Sequence, residues 1–235
     1  MAKLIDEILR SLFELDLSFK GELTMTDQME ALMDSIYLDR VPAKWAKLAF
    51  PSARGLASWL INLKHRLEQL GFFRDDPSVI MNVVYLNRLK NPQSFLTAVR
   101  QKSSRDNGYE LDKLYIQTDV TKKMIQDIEG QPRDGAYVFG FHVEGARWDA
   151  GVGQLDESTP KVQFSVVPVI NVKAALVQKE TKEDKGIYKA PTYMTVMRGN
   201  TYVFEAQLKT KHPPQKWILA GVALILDVEG VADSA

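Results

Sequence analysis

The chain has 235 residues, of which 45% are hydrophobic and 26% are charged, so it can form one large or two small globular domains. Its 30 basic and 30 acidic residues cancel, and the two signs also nearly balance within residues 1–110 and 111–235, which argues against a nucleic-acid partner. Cysteine is absent, which excludes disulfides and thiolate chemistry, and no apolar run approaches the ~20 residues that span a bilayer, which predicts no membrane partner.

The N-terminal stretch has the pattern of an amphipathic helix. Apolar residues recur at three- and four-residue spacing through residues 4–15. Asp6, Glu7, Arg10 and Glu14 interrupt the apolar stretch, whereas a secretory signal has an uninterrupted one. The pattern therefore predicts a helix of an intracellular protein.

Helical periodicity continues to about residue 110. Thr26 is a candidate N-cap, Asn91 precedes a proline at the first helical position, and the long central helix is expected to end at Gly71. Asn107-Gly108 is expected to end the last helix, and residues 79–86 fit either a strand or a helix. The predicted helices cover residues 4–15, 26–37, 42–48, 52–70 and 91–107.

From about Leu114 the apolar pattern changes to short segments rich in Val, Ile, Tyr and Phe. Asp134-Gly135 and Gly199-Asn200 are predicted turns, Pro168 predicts a sheet edge or a bulge, and residues 178–186 are a predicted charged loop. The predicted strands are segments of 113–119, 136–143, 162–172, 193–197, 201–208 and 216–227.

These patterns together predict an α+β fold. We expect an N-terminal helical layer followed by a small antiparallel β-barrel of about six strands, with a sandwich as the alternative arrangement. The expected domains are a helical subdomain at 1–110 and a β-barrel subdomain at 111–235.

One group of polar residues could in principle carry acid–base chemistry. Glu144, Asp149 and Asp156, with His142 nearby, would form a hydrolase site if they met at the mouth of a barrel. Carboxylates on turns between strands are common for solubility alone, and that interpretation is favoured. Arg147 is expected to pack on Trp148 or to pair with Glu144 rather than to bind a phosphate.

Other motifs of catalysis are missing from the sequence. It contains no GxxxxGK[ST] and no GxSxG, and Gly151-Val152-Gly153 is too sparse for a dinucleotide loop. His65, His142 and His212 have no second histidine at metal-ligand spacing, and Lys64-His65-Arg66 is interpreted as a solvated face. We therefore assign no catalytic, cofactor-binding or metal residue, and expect no cofactor and no enzymatic activity in this protein.

Some apolar residues fit either a contact surface or a core. Met25, Met29 and Met33 could form a pliable surface, but at helical spacing core packing is favoured. The same holds for Trp45 and Trp59.

The order and spacing of several segments resemble the C-terminal domain of a dynein heavy chain, most closely that of axonemal outer-arm dyneins. The resemblance covers nearly the whole sequence. The segments are GELTMTDQMEALM (21–33), VPAKWAKLAFPSARGLASWL (41–60), NPQSFLTAV (91–99), DVTKK (119–123), PRDGAYVFGFHVEGARWD (132–149), VVPVI (166–170), RGNTYVFEAQLKTK (198–211) and KWILAGVAL (216–224).

The resemblance implies a non-catalytic domain that packs on the AAA+ ring of its own heavy chain and modulates microtubule-based motility in cilia or flagella. Residues 3–20 would be the helix that arrives from the last AAA module, and microtubules would be reached only indirectly, through the full motor. Two alternatives stay open at this point. The protein could be a free-standing β-barrel that binds a small ligand under a helical lid, or a hydrolase that uses Glu144 and Asp149.

Overall fold

The computed structural model describes residues 1–75, 81–176 and 186–228 and confirms the α+β class. The contacts divide the protein into two compact units, Met1–Asp75 and Asp76–Ala235. The helices are α1 (Ala2–Phe19), α2 (Asp27–Tyr37), α3 (Ala43–Leu48), α4 (Leu56–Asp75), α5 (Pro92–Asn107) and α6 (Pro214–Leu219). Within the described ranges, none of them has the length and apolar character needed to cross a membrane.

The strands belong to the second unit. They are β1 (Val84–Tyr85), β2 (Leu114–Val120), β3 (Ala136–Phe139), β4 (His142–Glu144), β5 (Arg147–Asp149), β6 (Gln154–Asp156), β7 (Phe164–Val166), β8 (Ile170–Leu176), β9 (Ile187–Thr195), β10 (Tyr202–Lys209) and β11 (Ala223–Asp227).

The first unit is held together by an aromatic core. The rings of Trp45 and Phe50 both stack on Trp59, with centroid distances of 6.4 and 5.7 Å, and Trp45 Nε1 donates to Ser11 Oγ at 3.1 Å. The indole N–H is therefore satisfied inside the core, as a buried polar group requires. The remaining buried members are Leu4, Leu15, Met29, Leu32, Leu56 and Leu63. The predicted core roles of Trp45 and Trp59 are confirmed.

Helix α4 corrects two predictions. It runs through Gly71 to Asp75, so the glycine does not end it. Its buried face includes Asn62 and Arg66, and the guanidinium carbon of Arg66 lies 3.6 Å from the centroid of the Phe50 ring. Arg66 is only 1% exposed, so the interpretation of Lys64-His65-Arg66 as a solvated face is wrong for Arg66. The cation lies over an aromatic face, which the helical period of leucines does not reveal.

The ends of α2 and α5 follow the predicted capping. The Thr26 side chain accepts from Met29 N, and the Asn91 side chain accepts from Ser94 N. Gly108 adopts a left-handed conformation (φ 69°, ψ 24°) directly after α5. These residues satisfy backbone groups that have no partner within the helix, which confirms the three predictions.

The second unit contains a four-stranded sheet, a five-stranded sheet and a two-stranded hairpin. Their strand orders are β1-β3-β8-β2, β10-β9-β11-β4-β7 and β5-β6. The β1–β3 and β9–β11 pairs are parallel and the others are antiparallel, so the sheets are mixed rather than antiparallel throughout. Both larger sheets therefore contain parallel pairing that the sequence patterns do not predict.

The predicted closed barrel is not confirmed, because the sheets of the described residues remain separate. Edge strands β2 and β10 meet through side chains where a barrel would have a backbone ladder. Gln207 Oε1 accepts from Thr118 N at 2.7 Å and from Thr118 Oγ1 at 3.1 Å, and Gln207 N donates to Thr118 Oγ1 at 2.7 Å. We call this contact the Gln207–Thr118 seam. It joins the two sheet edges through two residues, so most of each edge is not paired by backbone hydrogen bonds.

Several predicted strands are subdivided. The segment 136–143 is divided at Gly140 (φ 99°), and 162–172 is divided around Pro168, which lacks the N–H of a ladder. The segment 216–227 contains the end of α6 followed by β11, and the hairpin β5–β6 lies outside the predicted strands. In the segment 79–86, residues 84–85 form β1 and residues 86–88 form a 3₁₀ turn.

The predicted change near residue 110 marks where helices give way to strands, whereas the division into compact units follows Asp75. Helix α5 consequently belongs to the second unit. The domains at 1–110 and 111–235 stay a prediction. The charged loop predicted at 178–186 falls almost entirely outside the described residues.

Candidate functional site

Helix α1 has two apolar faces, of which only one is buried. Leu4, Ser11 and Leu15 are buried, and α1 packs on α2 and α3. Leu9, Leu12 and Phe13 recur at three- and four-residue spacing on a different face and are 62%, 39% and 62% exposed. We call these three residues the outer stripe. A helix at the surface of a globular protein normally carries one apolar face, so the second indicates a contact surface.

A charged cluster lies on α1 beside the outer stripe. Arg10 pairs with Glu7 at 2.7 Å and with Glu14 at 2.6 Å. Hydrogen bonds from the Arg10 guanidinium lower the pKa of Glu7, and its bonds to Glu7 and Glu14 raise the pKa of Arg10. These exposed pairs contribute little to stability, but they keep the charges engaged with one another. The stripe is thus bordered by side chains that are already paired within the helix.

The carboxylates of the predicted acid–base group are separately engaged. Glu144 pairs with Arg198 at 2.9 Å, Asp156 pairs with Arg147, and Asp149 Oδ1 accepts from the backbone of its own turn. The prediction that Arg147 pairs with Glu144 is therefore wrong, because the β5–β6 register places Arg147 directly opposite Asp156.

The electrostatics of this region also argue against proton transfer. The pKa of Asp156 is lowered, first by a backbone hydrogen bond from Glu157 and then by the Arg147 side chain. The pKa of Glu157 is lowered mainly by its hydrogen bond from Lys216. A general acid needs a raised pKa to stay protonated at neutral pH, so these two groups have the opposite property.

The three histidines lie on different elements. His142 is 6% exposed within β4, His65 is on α4, and His212 contacts the edge of Trp217 at a centroid distance of 5.7 Å. In the part of the sequence that the structure describes, no cluster of three or more His, Cys, Asp or Glu is arranged to hold a metal ion.

The methionines divide between core and surface. Met29 is buried, and its sulfur accepts from Ser18 Oγ at 3.2 Å, while Met25 packs against the same core. Met33 is 38% exposed. The predicted core role is therefore confirmed for Met29 and Met25. The outer stripe is not predicted as a surface, because the same periodicity fits a single buried face of α1.

Comparison with known proteins supports these observations. The family model for the C-terminal domain of dynein heavy chains matches residues 1–226. The protein is 50% identical over 228 residues to the flagellar outer-arm dynein beta chain of Chlamydomonas reinhardtii, an alignment that includes 97% of its own length. It is 46% identical to the ciliary dynein beta chain of Tripneustes gratilla over 97% of its length. It is 44% identical to human dynein axonemal heavy chain 9 over 94% of its length.

The sequence spans 5% of the length of each of these relatives. The match to the family model runs from the first residue nearly to the end of β11, so it includes every helix and nearly every strand residue described above. The protein belongs to the family of dynein heavy-chain domains that lie at the C-terminus.

Proposed function

We propose that this protein is the non-catalytic C-terminal domain of an axonemal outer-arm dynein heavy chain. It packs on the AAA+ ring of the same heavy chain and modulates microtubule-based motor activity in cilia or flagella. The observation that carries this proposal is the outer stripe of α1, which offers apolar area that the first unit leaves uncovered. The names of the relatives, which include flagellar outer-arm and ciliary dyneins, support the axonemal assignment.

A contact role agrees with the state of the polar groups. The candidate carboxylates are occupied by arginines or by a backbone turn, so they are poorly placed to act on a substrate. In this proposal the domain hydrolyses nothing, needs no cofactor and reaches microtubules only through the full motor. The alternative of a free-standing ligand-binding barrel is not favoured by the comparisons.

The decisive experiment adds the purified protein to a dynein motor ring truncated before the position equivalent to residue 3. Binding is measured by biolayer interferometry, and the ATPase rate and microtubule gliding velocity of the ring are followed in parallel. We expect saturable binding and a change in at least one activity. A folded protein that neither binds the ring nor alters either activity would overturn the proposal.

Variants of the outer stripe make the test specific. Leu9→Ser with Phe13→Ser removes two apolar side chains, each of which contributes roughly 1.5–3 kcal/mol when fully buried. We therefore expect ring binding to weaken by about 100-fold or more. The matched control is Leu38→Ser, because Leu38 is 53% exposed just after α2 and lies outside the stripe. Equal losses in the stripe variant and the control would show that the stripe is not the contact.

A further inference from the structure

A cleft of about 380 Å³ lies in the second unit, remote in sequence from α1. Its lining includes Glu144, Ser158, Val162, Gln163, Arg198 and Gly221. These residues come from the end of β4, the loop after β6, the β9–β10 turn and the residues after α6. We call it the end cleft.

Arg198 occupies an unusual position in this cleft. Its backbone has φ 52° and ψ −120°, a combination that a residue with a Cβ rarely adopts. Nη2 donates to Glu144 Oε2 and to Gly221 O, both at 2.9 Å, and these bonds hold the turn. Among the residues that the structure describes, Nε and Nη1 have no acceptor, and the side chain is 37% exposed. The guanidinium therefore keeps donors for a further partner.

A second strained cation stands at the same cleft. Lys161 has φ 68° and directly precedes Val162 of the lining. Three residues other than glycine have a positive φ in the described ranges, and the third, Asp39, belongs to the first unit. Both strained residues at the end cleft are thus basic. Strained backbone is concentrated at functional sites, and here it accompanies positive charge.

The rim of the end cleft is apolar. Leu219 and Met197, next in sequence to lining residues, are 88% and 80% exposed, and Ile218 on α6 is 64% exposed. Val162 within the lining is 48% exposed. Bulky apolar side chains at this exposure contribute nothing to the core of the unit, so the surface combines apolar contacts with cationic donors.

We propose that the end cleft binds an extended segment of a partner protein in which an acidic residue adjoins bulky apolar residues. The carboxylate accepts from the Nε and Nη1 donors of Arg198, with Lys161 adding attraction, and the apolar residues cover Leu219 and Met197. A carboxylate suits this site because guanidinium–carboxylate pairs are strong and directional. This surface is distinct from the outer stripe, and the inference does not depend on ring binding.

The test uses the full-length protein, labelled at Leu and Met methyl groups, in an NMR titration. The probe is a short peptide with a Glu-Leu-Leu core, and its matched peptides carry Gln-Leu-Leu and Glu-Ser-Ser cores. We expect saturable shifts of the Met197 and Leu219 methyl signals with the first peptide, and at least about five-fold weaker binding of each matched peptide. No saturable shift, or equal binding of all three peptides, overturns the proposal.

Variants locate the contact. Arg198→Gly removes the guanidinium and suits the positive φ, so the turn is expected to persist, and Leu219→Ser removes an apolar contact at an exposed position. Each is expected to weaken binding at least about five-fold, whereas Arg133→Gly, which removes an arginine from another loop of the unit, leaves it unchanged. Inorganic phosphate is titrated separately. If it shifts the same methyl signals as strongly as the peptide, the cleft is a simple anion site and the proposal fails.

Discussion

Replacing Gln207 by alanine tests whether the Gln207–Thr118 seam holds the two large sheets together. The substitution removes the Oε1 atom that accepts from the backbone N–H of Thr118 at 2.7 Å and from its hydroxyl at 3.1 Å. Thr118 is 5% exposed, so water reaches its freed donor poorly. The bond between Gln207 N and Thr118 Oγ1 does not involve the replaced side chain and stays available.

The expected loss follows from the buried donor. A buried backbone N–H without an acceptor costs about 1–3 kcal/mol, so the free energy of unfolding of the second unit should fall by that amount. For a domain of this size the melting temperature should decrease by roughly 2–4 °C for each kcal/mol. Gln207→Glu is the matched control. It keeps an oxygen at the same position and should lose less than about 1 kcal/mol.

Chemical denaturation measures the change in unfolding free energy, and amide hydrogen exchange at Thr118 reports the seam itself. We expect exchange at this amide to accelerate by about 10-fold for each 1.4 kcal/mol in the alanine variant and to change much less in the glutamate variant. If the two variants exchange alike, or if neither differs from the parent, the seam contributes nothing and the sheets are held by their apolar core alone.

Three further changes follow from particular contacts. Asp39→Ala should lower the unfolding free energy of the first unit by about 0.5–2 kcal/mol, because the Asp39 carboxylate accepts from the first turn of α4, and Asp39→Asn should lose less in the same denaturation experiment. Burial raises the pKa of Tyr188, so the folded state keeps the phenol proton above the ordinary value of 10.0 and stability should fall as pH rises beyond it. Tyr188→Phe should flatten that alkaline slope while losing the hydrogen bond to Val222 O at every pH; an unchanged slope would contradict the reasoning. Gly135→Ala should prevent stable folding of the second unit, since φ is 78° and a Cβ would lie 2.1 Å from a backbone carbonyl oxygen; a circular dichroism spectrum and melting curve like those of the parent would refute this.

Local signals are the ones that the sequence reveals. Thr26, Asn91 and Gly108 act within a few residues of their own helix ends, so their roles depend on neighbours that are adjacent in the sequence. The strands β2 and β10 are also predicted close to their observed bounds, because each has turn residues or a helix end beside it. The class of fold follows from these elements.

The missed features all depend on residues that are remote in the sequence. Asp39 caps α4 from 18 positions away, and Gln207 meets Thr118 across 89 positions. Neither residue has a local pattern that distinguishes it from an ordinary polar residue of a turn or strand. The parallel pairing of β9 with β11 likewise follows from how the backbone passes through β10 and α6, which alternation of apolar residues does not encode.

The candidate catalytic cluster and the outer stripe show why sequence patterns misassign the surfaces. Carboxylates near a turn predict chemistry only if they are free, and Glu144 and Asp156 are each matched by an arginine. Apolar residues at helical spacing predict burial, yet Leu9 and Phe13 lie on the face of α1 that its own unit does not cover. A domain that acts by contact needs charges that are satisfied internally and apolar area that is not. This protein combines both properties on α1, and on that basis a contact role accounts for it better than catalysis does.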